Sequence, residues 1–161
     1  MQNPMTRKQI NLVKQTFTRI SDRSDELGLD FYHRLFQQDP KLQVLFHGNL
    51  PNQGQALFSM IQLIVRTLDY QEQVVPIVYE LGKRHAAYGV GGADYATFRG
   101  ALLDTLQAAI GNGFTAEVRD AWGAAYDFMA GVMEEAQAHV REGKTLPFRR
   151  LGPHLEEEAD K

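Results

Sequence analysis

Apolar residues recur at intervals of three and four along nearly all of this 161-residue chain, which is the spacing of one face of an α-helix. Strict alternation of apolar and polar residues between turn signals, which would predict strands, is not sustained anywhere. Breaks such as GNLP, GVGGAD and GNGF divide the pattern into segments of helical length. The sequence therefore predicts an all-α fold, and its length suits a single hydrophobic core.

The segments between these breaks predict six helices, with a short proline-initiated turn after the second. The first helix opens with a capping box, in which the hydroxyl of Thr6 is followed three residues later by Gln9. Beyond the last helix the periodicity is lost, so we expect one domain over 1–140 and a mobile C-terminal tail over 141–161. The predicted helices cover residues 6–20, 24–38, 52–68, 71–87, 94–109 and 115–140.

The composition of the chain argues against several functions. A formal charge of −3 provides no basic face for nucleic acid. The absence of cysteine rules out disulfides, thiolate zinc sites, iron–sulfur clusters and a cysteine nucleophile. The N-terminus lacks the apolar stretch of a signal peptide, and the most apolar segment is interrupted by Ser59, Gln62 and Arg66. We therefore expect a cytoplasmic protein without a membrane span.

Two predicted helices each carry an apolar face with one polar group, which is Tyr32 on the second helix and Gln53 on the third. Glycine within a helix costs about 0.5 to 1 kcal/mol relative to alanine. Gly28, one turn before Tyr32, and Gly54, beside Gln53, therefore predict a close crossing of the two helices. A crossing there would bring the phenol and the amide to one shared space. The alternatives are a core tyrosine with a hydrogen-bonded hydroxyl and a half-exposed glutamine in the first turn of its helix. The two faces comprise Gly28, Tyr32, Leu35 and Phe36, and Gln53, Leu57, Met60, Ile61, Ile64 and Leu68.

The histidine in LGKRHAAYG, residues 81–89, is a further candidate for chemistry. His85 lies in the last turn of a predicted helix, where a favourable interaction with the helix dipole, shared with Lys83 and Arg84, is a sufficient explanation by itself. An imidazole on one side, with a phenol and an amide on the other and apolar residues such as Phe46 between them, would nevertheless make a slot for a flat hydrophobic cofactor. Haem suits such a slot, because its iron needs an axial base and histidine is a common one.

These segments resemble the globins, specifically the bacterial single-domain globins and the haem domain of flavohaemoglobins, over about residues 6–138. LGKRHAAYGV is similar to the segment with the iron-ligating histidine, and GLDFYHRLF to the segment with the distal tyrosine. VLFHG is similar to the segment with the haem-packing phenylalanine, and NQGQALFSMI places a glutamine at the distal position. The resemblance implies a globin fold around haem b. The site residues it implies are His85 as the iron ligand, Tyr32 and Gln53 as hydrogen-bond donors to the gas ligand, and Phe46, Leu57 and Tyr95 around the cofactor.

The resemblance implies reversible dioxygen binding at ferrous iron, with nitric oxide, carbon monoxide or cyanide as other iron ligands. One alternative is nitric oxide dioxygenation, in which Tyr32 and Gln53 would be catalytic. The chain has no room for the flavin and nicotinamide domains of flavohaemoglobins, so this activity would need an external reductase. A second alternative is a haem-based gas sensor, although the tail is short for an ordinary signalling domain. The expected assembly is a monomer or a homodimer.

One position departs from the flavohaemoglobin pattern. Tyr95 matches a tyrosine that joins the iron-ligating histidine to a glutamate of the last helix, but the glutamate position here is Gln137. A neutral amide should make the histidine a weaker donor to iron, and Glu134 is the alternative partner for the tyrosine. Among the remaining histidines, we expect surface positions for His33, His139 and His154, and a place near the haem edge for His47.

Overall fold

A computed structural model describes residues 5–46, 49–87 and 92–143, except for the side chains of residues 85–87 and 92. Within these ranges the chain forms six α-helices and three short 3-10 turns, without a strand, so the predicted all-α fold is confirmed. No helix in these ranges is both long and apolar enough to cross a bilayer. The helices are α1 (Arg7–Thr18), α2 (Ser24–Gln38), α3 (Leu50–Thr67), α4 (Gln71–Ala87), α5 (Gly92–Ile110) and α6 (Ala116–Glu142).

Capping side chains decide where α1 and α3 begin. The predicted capping box of α1 is present, and the backbone N–H of Gln9 donates to the Thr6 hydroxyl over 3.0 Å. α3 begins at Leu50, two residues before its predicted start. The physical reason is that the side-chain carbonyl of Asn49 accepts the backbone N–H of Asn52 over 3.2 Å, which satisfies a donor of the first turn.

α5 and α6 are both longer than predicted. α5 begins at Gly92, within the glycine-rich break, and α6 continues to Glu142. α6 ends where Gly143 adopts the left-handed conformation, with φ of 70°, and its N–H bonds back to the carbonyls of His139 and Val140. A break in periodicity therefore locates a helix end only approximately, since the capping geometry selects the terminal residue.

The helices pack as two main groups. α6 packs against α4, α1 and α5, while α2 packs against α3 and α5. Trp122 of α6 is buried at the contact with α1, and its indole N–H donates to the Thr16 hydroxyl over 2.9 Å. This hydrogen bond lets a large ring enter the core without leaving a buried donor unsatisfied. The resulting frame holds the α2–α3 pair and the α4–α6 pair around one cavity.

The predicted crossing of α2 and α3 at two glycines is confirmed. A Cβ atom added to Gly28 would lie 2.5 Å from the Cα of Gly54, and a Cβ added to Gly54 would lie 2.9 Å from the Cα of Gly28. Such distances are well inside van der Waals contact, so neither position accepts a side chain without backbone movement. The two helices can approach this closely because both lack a side chain at the crossing.

A second close crossing, which the sequence pattern did not reveal, joins α4 to α6. A Cβ atom added to Gly82 would lie 2.6 Å from the Cα of Met133 and 2.7 Å from its carbonyl oxygen. Here only one of the two helices contributes a glycine. Gly82 precedes His85 by three residues, so the contact sets the distance between the last turn of α4 and α6.

Candidate functional site

A cavity of about 600 Å³ lies among the helices, within the size range of cofactor and small-molecule sites. One side, which we call the α2–α3 wall, is formed by Phe31, Tyr32, Gln53, Ala56, Leu57, Met60, Ile61 and Ile64. The other side, the α4–α6 wall, is formed by Leu81 and Arg84 of α4, Tyr95, Phe98 and Leu102 of α5, and Tyr126, Met129 and Met133 of α6. Leu45 and Phe46 complete the lining from the segment before α3. Most of these side chains are apolar.

The α2–α3 wall brings together the two polar groups that the sequence singled out. Tyr32 and Gln53 both line the cavity, because the crossing at Gly28 and Gly54 places their neighbouring turns side by side. Burial raises the pKa of the Tyr32 phenol to about 12, so at neutral pH its hydroxyl keeps its proton and can donate it in a hydrogen bond. This wall therefore offers a phenol and an amide over an otherwise apolar surface.

Phe46 and Leu57 also line the cavity, as the residues predicted to contact a cofactor should. The Phe46 ring meets the Tyr32 ring edge-on with 5.0 Å between centroids, and it meets the Phe36 ring in the same way at 5.6 Å. These aromatic contacts limit the rotation of Tyr32 within the wall. Leu68, which shares the predicted face of α3, is buried but is not part of the cavity lining.

On the α4–α6 wall, Tyr95 is buried and lines the cavity. Burial, and secondarily the charges of Glu134 and Asp94, raise the pKa of Tyr95 to about 12. The Tyr126 hydroxyl donates to the backbone carbonyl of Tyr95 over 2.6 Å and so ties α6 to the first turns of α5. Gln137 is buried, whereas Glu134 is exposed but close enough to act on Tyr95 electrostatically.

His85 lies in the last turn of α4, and its side chain is outside the described part of the structure. Leu81, four residues before it, and Arg84, immediately before it, both line the cavity. α4 therefore borders the cavity along the turn that leads to His85. The role of His85 as an iron ligand stays a prediction, and His47 lies outside the described residues.

The remaining histidines differ from expectation at one position. His33 is exposed, as predicted, and His154 lies outside the described residues. His139 is not a free surface residue, because its ring is about four-fifths buried, and its Nδ1 atom is in hydrogen-bond contact with the Tyr79 hydroxyl. The surface prediction for His139 was wrong because the packing of α4 on α6 places Tyr79 against it.

Sequence reasoning missed several lining residues on the α4–α6 wall. Tyr126, Met129 and Met133 follow the three- and four-residue spacing of one helix face, so the signal was present but identical to that of an ordinary core stripe. Arg84 was attributed to the helix end, and nothing in its local sequence indicates a cavity.

A family model described as Globin matches residues 29–133, and the chain belongs to the globin family. It is similar to a flavohemoprotein of Xylella fastidiosa (strain Temecula1), with 31% identity over 137 residues, which covers 83% of this chain and 34% of that protein. It is also similar to a flavohemoprotein of Vibrio cholerae, with 29% identity over 159 residues, which covers 90% of this chain and 40% of that protein. The chain thus spans between a third and two fifths of the length of these relatives.

Among solved structures, the fold is similar to that of RmaNOD, an engineered carbene transferase from Rhodothermus marinus. The TM-score is 0.78, and the match covers 86% of this chain and 96% of the other. Since the identity is 22%, this likeness supports the fold alone. The predicted globin fold is confirmed by the family match together with the helical architecture.

Proposed function

We propose that this globin holds haem b in the cavity between its two walls and through it binds dioxygen reversibly. In this proposal His85 would ligate the iron, and Tyr32 and Gln53 would donate hydrogen bonds to the gas ligand. The proposed globin domain spans residues 1–140, with 141–161 as a tail. The observation that carries the proposal is that Tyr32 and Gln53 line the same cavity as Phe46 and Leu57. Haem, when bound, supplies a ferrous iron that takes diatomic gases.

The residues of the cavity fit such a group. A porphyrin needs a large, mostly apolar space with few polar groups, and the described lining has that character over about 600 Å³. Leu57 on one wall and Phe98 on the other offer apolar contact surface to a flat ring. Apolar walls also exclude water, which favours retention of a reduced iron and a weakly polar ligand.

Tyr32 and Gln53 can stabilise a gas molecule that carries partial negative charge. The Tyr32 hydroxyl keeps its proton, because burial raises its pKa to about 12, and so it remains a donor throughout the physiological pH range. A hydrogen bond to a charged acceptor contributes about 1.5 to 3 kcal/mol. Slow release of dioxygen follows from this stabilisation.

The first test concerns Tyr32. We expect Tyr32→Phe to accelerate dioxygen dissociation about ten- to a hundredfold, because the donor is lost while the ring packing is kept. The rate is measured by stopped-flow replacement of dioxygen with carbon monoxide. Tyr70→Phe is the matched control, since Tyr70 is 62% exposed and is not part of the lining. An unchanged rate in Tyr32→Phe would contradict the proposed role.

The second test concerns His85. The chain is mixed with hemin, and the absorption spectrum is recorded in the oxidised state and then in the reduced state under carbon monoxide. We expect His85→Gly to alter both spectra or to lose the cofactor, and added imidazole to restore the original spectra. Restoration also shows that the variant is folded. A colourless wild-type chain, or a variant with unaltered spectra, would overturn the proposal.

Nitric oxide dioxygenation is the second candidate function, in which Tyr32 and Gln53 would be catalytic residues. It is favoured by the similarity of the chain to proteins named flavohemoprotein, of which it matches about a third. Because it consumes electrons, it requires a reductase. Sustained nitrate formation from nitric oxide and dioxygen with a generic reductant, well above the spontaneous rate, would promote this activity over simple oxygen binding.

A further inference from the structure

Tyr79 of α4 and His139 of α6 form a hydrogen-bonded pair outside the cavity, since neither residue is part of the described lining. Tyr79 is buried, with 1% of its surface exposed, and its hydroxyl is in hydrogen-bond contact with the Nδ1 atom of His139. The two rings also pack against each other, with 5.7 Å between their centroids. The pair therefore joins α4 to α6 by a polar and an apolar contact together.

The roles of donor and acceptor follow from the surroundings of the pair. Burial, and secondarily the charges of Glu135 and Glu80, raise the pKa of Tyr79 to about 12, so the phenol keeps its proton at neutral pH. A neutral imidazole that accepts at Nδ1 carries its own proton on Nε2. The Nε2 atom of His139 faces the carboxylate of Glu135 at 3.9 Å, and this anion favours an N–H there. Tyr79 therefore donates and His139 accepts.

The pair lies at one end of a seam between α4 and α6 that leads to the cavity. One turn beyond Tyr79, Gly82 meets the backbone of Met133, which precedes His139 by six residues. The two helices are therefore antiparallel along this seam. Met133 also lines the cavity, and α4 continues from Gly82 to the turn that carries His85.

Two features of α4 give weight to a directional contact at Tyr79. Pro76, three residues earlier, lies inside the helix and lacks the N–H that would bond to the preceding turn, so the helix can bend there. The contact of Gly82 with Met133 sets how closely the helices approach, but close packing alone has no preferred direction along the helix. A hydrogen bond is directional, and one polar pair can fix the register of two packed helices.

On the basis of the proposed function, we propose that His139 is a positioning residue, which fixes the last turns of α4 on α6 through its hydrogen bond with Tyr79. These turns carry His85, so the bond holds the backbone that presents the proposed iron ligand. The alternative is that the pair only stabilises the fold. The two explanations differ in whether the iron–histidine bond responds to the loss of the pair when stability is restored.

The experiment records the iron–histidine stretching band of the reduced, hemin-loaded chain by resonance Raman spectroscopy, and the denaturation midpoint of the same samples. His139→Leu removes the acceptor and keeps an apolar side chain at the contact. We expect its midpoint to fall and its band to shift from the wild-type frequency. His139→Asn offers a side-chain carbonyl as acceptor to the phenol, so its band should stay at the wild-type frequency.

A double variant separates positioning from stability. Tyr79→Phe together with His139→Leu replaces both polar partners with apolar groups, so the midpoint should return toward that of wild type. The band should stay shifted, because the directional contact is absent. Thr16→Val is the matched control, since it removes the acceptor of the buried Trp122 N–H at the α1–α6 contact, and neither residue is in the described lining. It should lower the midpoint and leave the band unchanged.

An unchanged band in His139→Leu would overturn the inference, as would a band that returns to the wild-type frequency together with the midpoint in the double variant. A shift in His139→Asn or in Thr16→Val as large as that in His139→Leu would overturn it as well. In each of these cases the wild-type chain still shows an iron–histidine band, so the proposed function stands. A wild-type chain without hemin uptake, or without such a band, would overturn the proposed function and this inference together.

Discussion

The two walls of the cavity use glycine in different ways. In the α2–α3 wall, Gly28 and Gly54 face each other, so both helices lack a side chain where they cross. In the α4–α6 wall, Gly82 faces the backbone of Met133, a residue whose own side chain lines the cavity. The sequence marks the first crossing with a glycine in each of the two helices, whereas it marks the second with a glycine in only one helix. A mutual glycine contact can therefore be inferred from sequence, and a one-sided contact cannot.

The largest effect should come from Gly28→Ala. The added Cβ would lie within 2.5 to 2.8 Å of three backbone atoms of Gly54, and no flexible side chain can move aside. We expect the free energy of unfolding to fall by about 1 to 3 kcal/mol, toward the upper end of that range, together with altered dioxygen kinetics because Tyr32 shifts. Chemical denaturation of the variant measures the loss.

Gly131→Ala is the matched control for this substitution. Gly131 lies within α6, and a Cβ added there would meet no atom within 4 Å. Alanine at an open helical position should raise the free energy of unfolding by about 0.5 to 1 kcal/mol. If Gly28→Ala were as stable as Gly131→Ala, the close crossing of α2 and α3 would be refuted.

Gly82→Ala should cost about 1 to 2 kcal/mol, measured in the same denaturation experiment. The added Cβ would meet the backbone of Met133 at 2.6 Å and the Cβ of Ala136 at 3.0 Å, so α4 must move away from α6. We expect this variant to change the absorption spectrum of the hemin-loaded protein more than its dioxygen dissociation rate. A larger change in the dioxygen dissociation rate than in the spectrum would show that a shift of the α4–α6 wall also displaces the donors on the α2–α3 wall.

A further effect, which is confined to alkaline pH, compares one tyrosine from each wall. Burial raises the pKa of Tyr32 and of Tyr95 to about 12, from 10.0 in the unfolded chain. Between these values the unfolded state has released a proton that the folded state keeps, so stability is complete below pH 10 and falls as the pH rises toward 12.

Tyr32→Phe and Tyr95→Phe should each make this alkaline fall shallower by about 1.4 kcal/mol per pH unit, since one proton fewer is released. Denaturant titrations at several pH values between 10 and 12 measure the slope, and the same titrations between pH 7 and 9 provide the baseline. A slope that is unchanged in one variant would show that the tyrosine of that wall is not shielded from water.

Several parts of the site could be predicted because they depend on local spacing. Tyr32 and Leu57 could be assigned to a shared cavity because each lies on an apolar helix face, three or four residues after a glycine at the predicted crossing. Phe46 was found through a family resemblance and not through periodicity, since it lies in the segment between two helices. Arg84 and His139 could not be placed, because their surroundings come from elements far away in the chain.

By itself, the sequence determined which residues share a face, because the three- and four-residue spacing of a helix is a local property of the backbone. It also determined the capping box at Thr6, whose partners lie within one turn. Only the tertiary structure decided which faces meet, and thus the contact of Gly82 with Met133 and the position of Arg84 in the cavity lining. The physical reason is that the meeting of two faces depends on the combined packing of all six described helices, which no short stretch of sequence encodes.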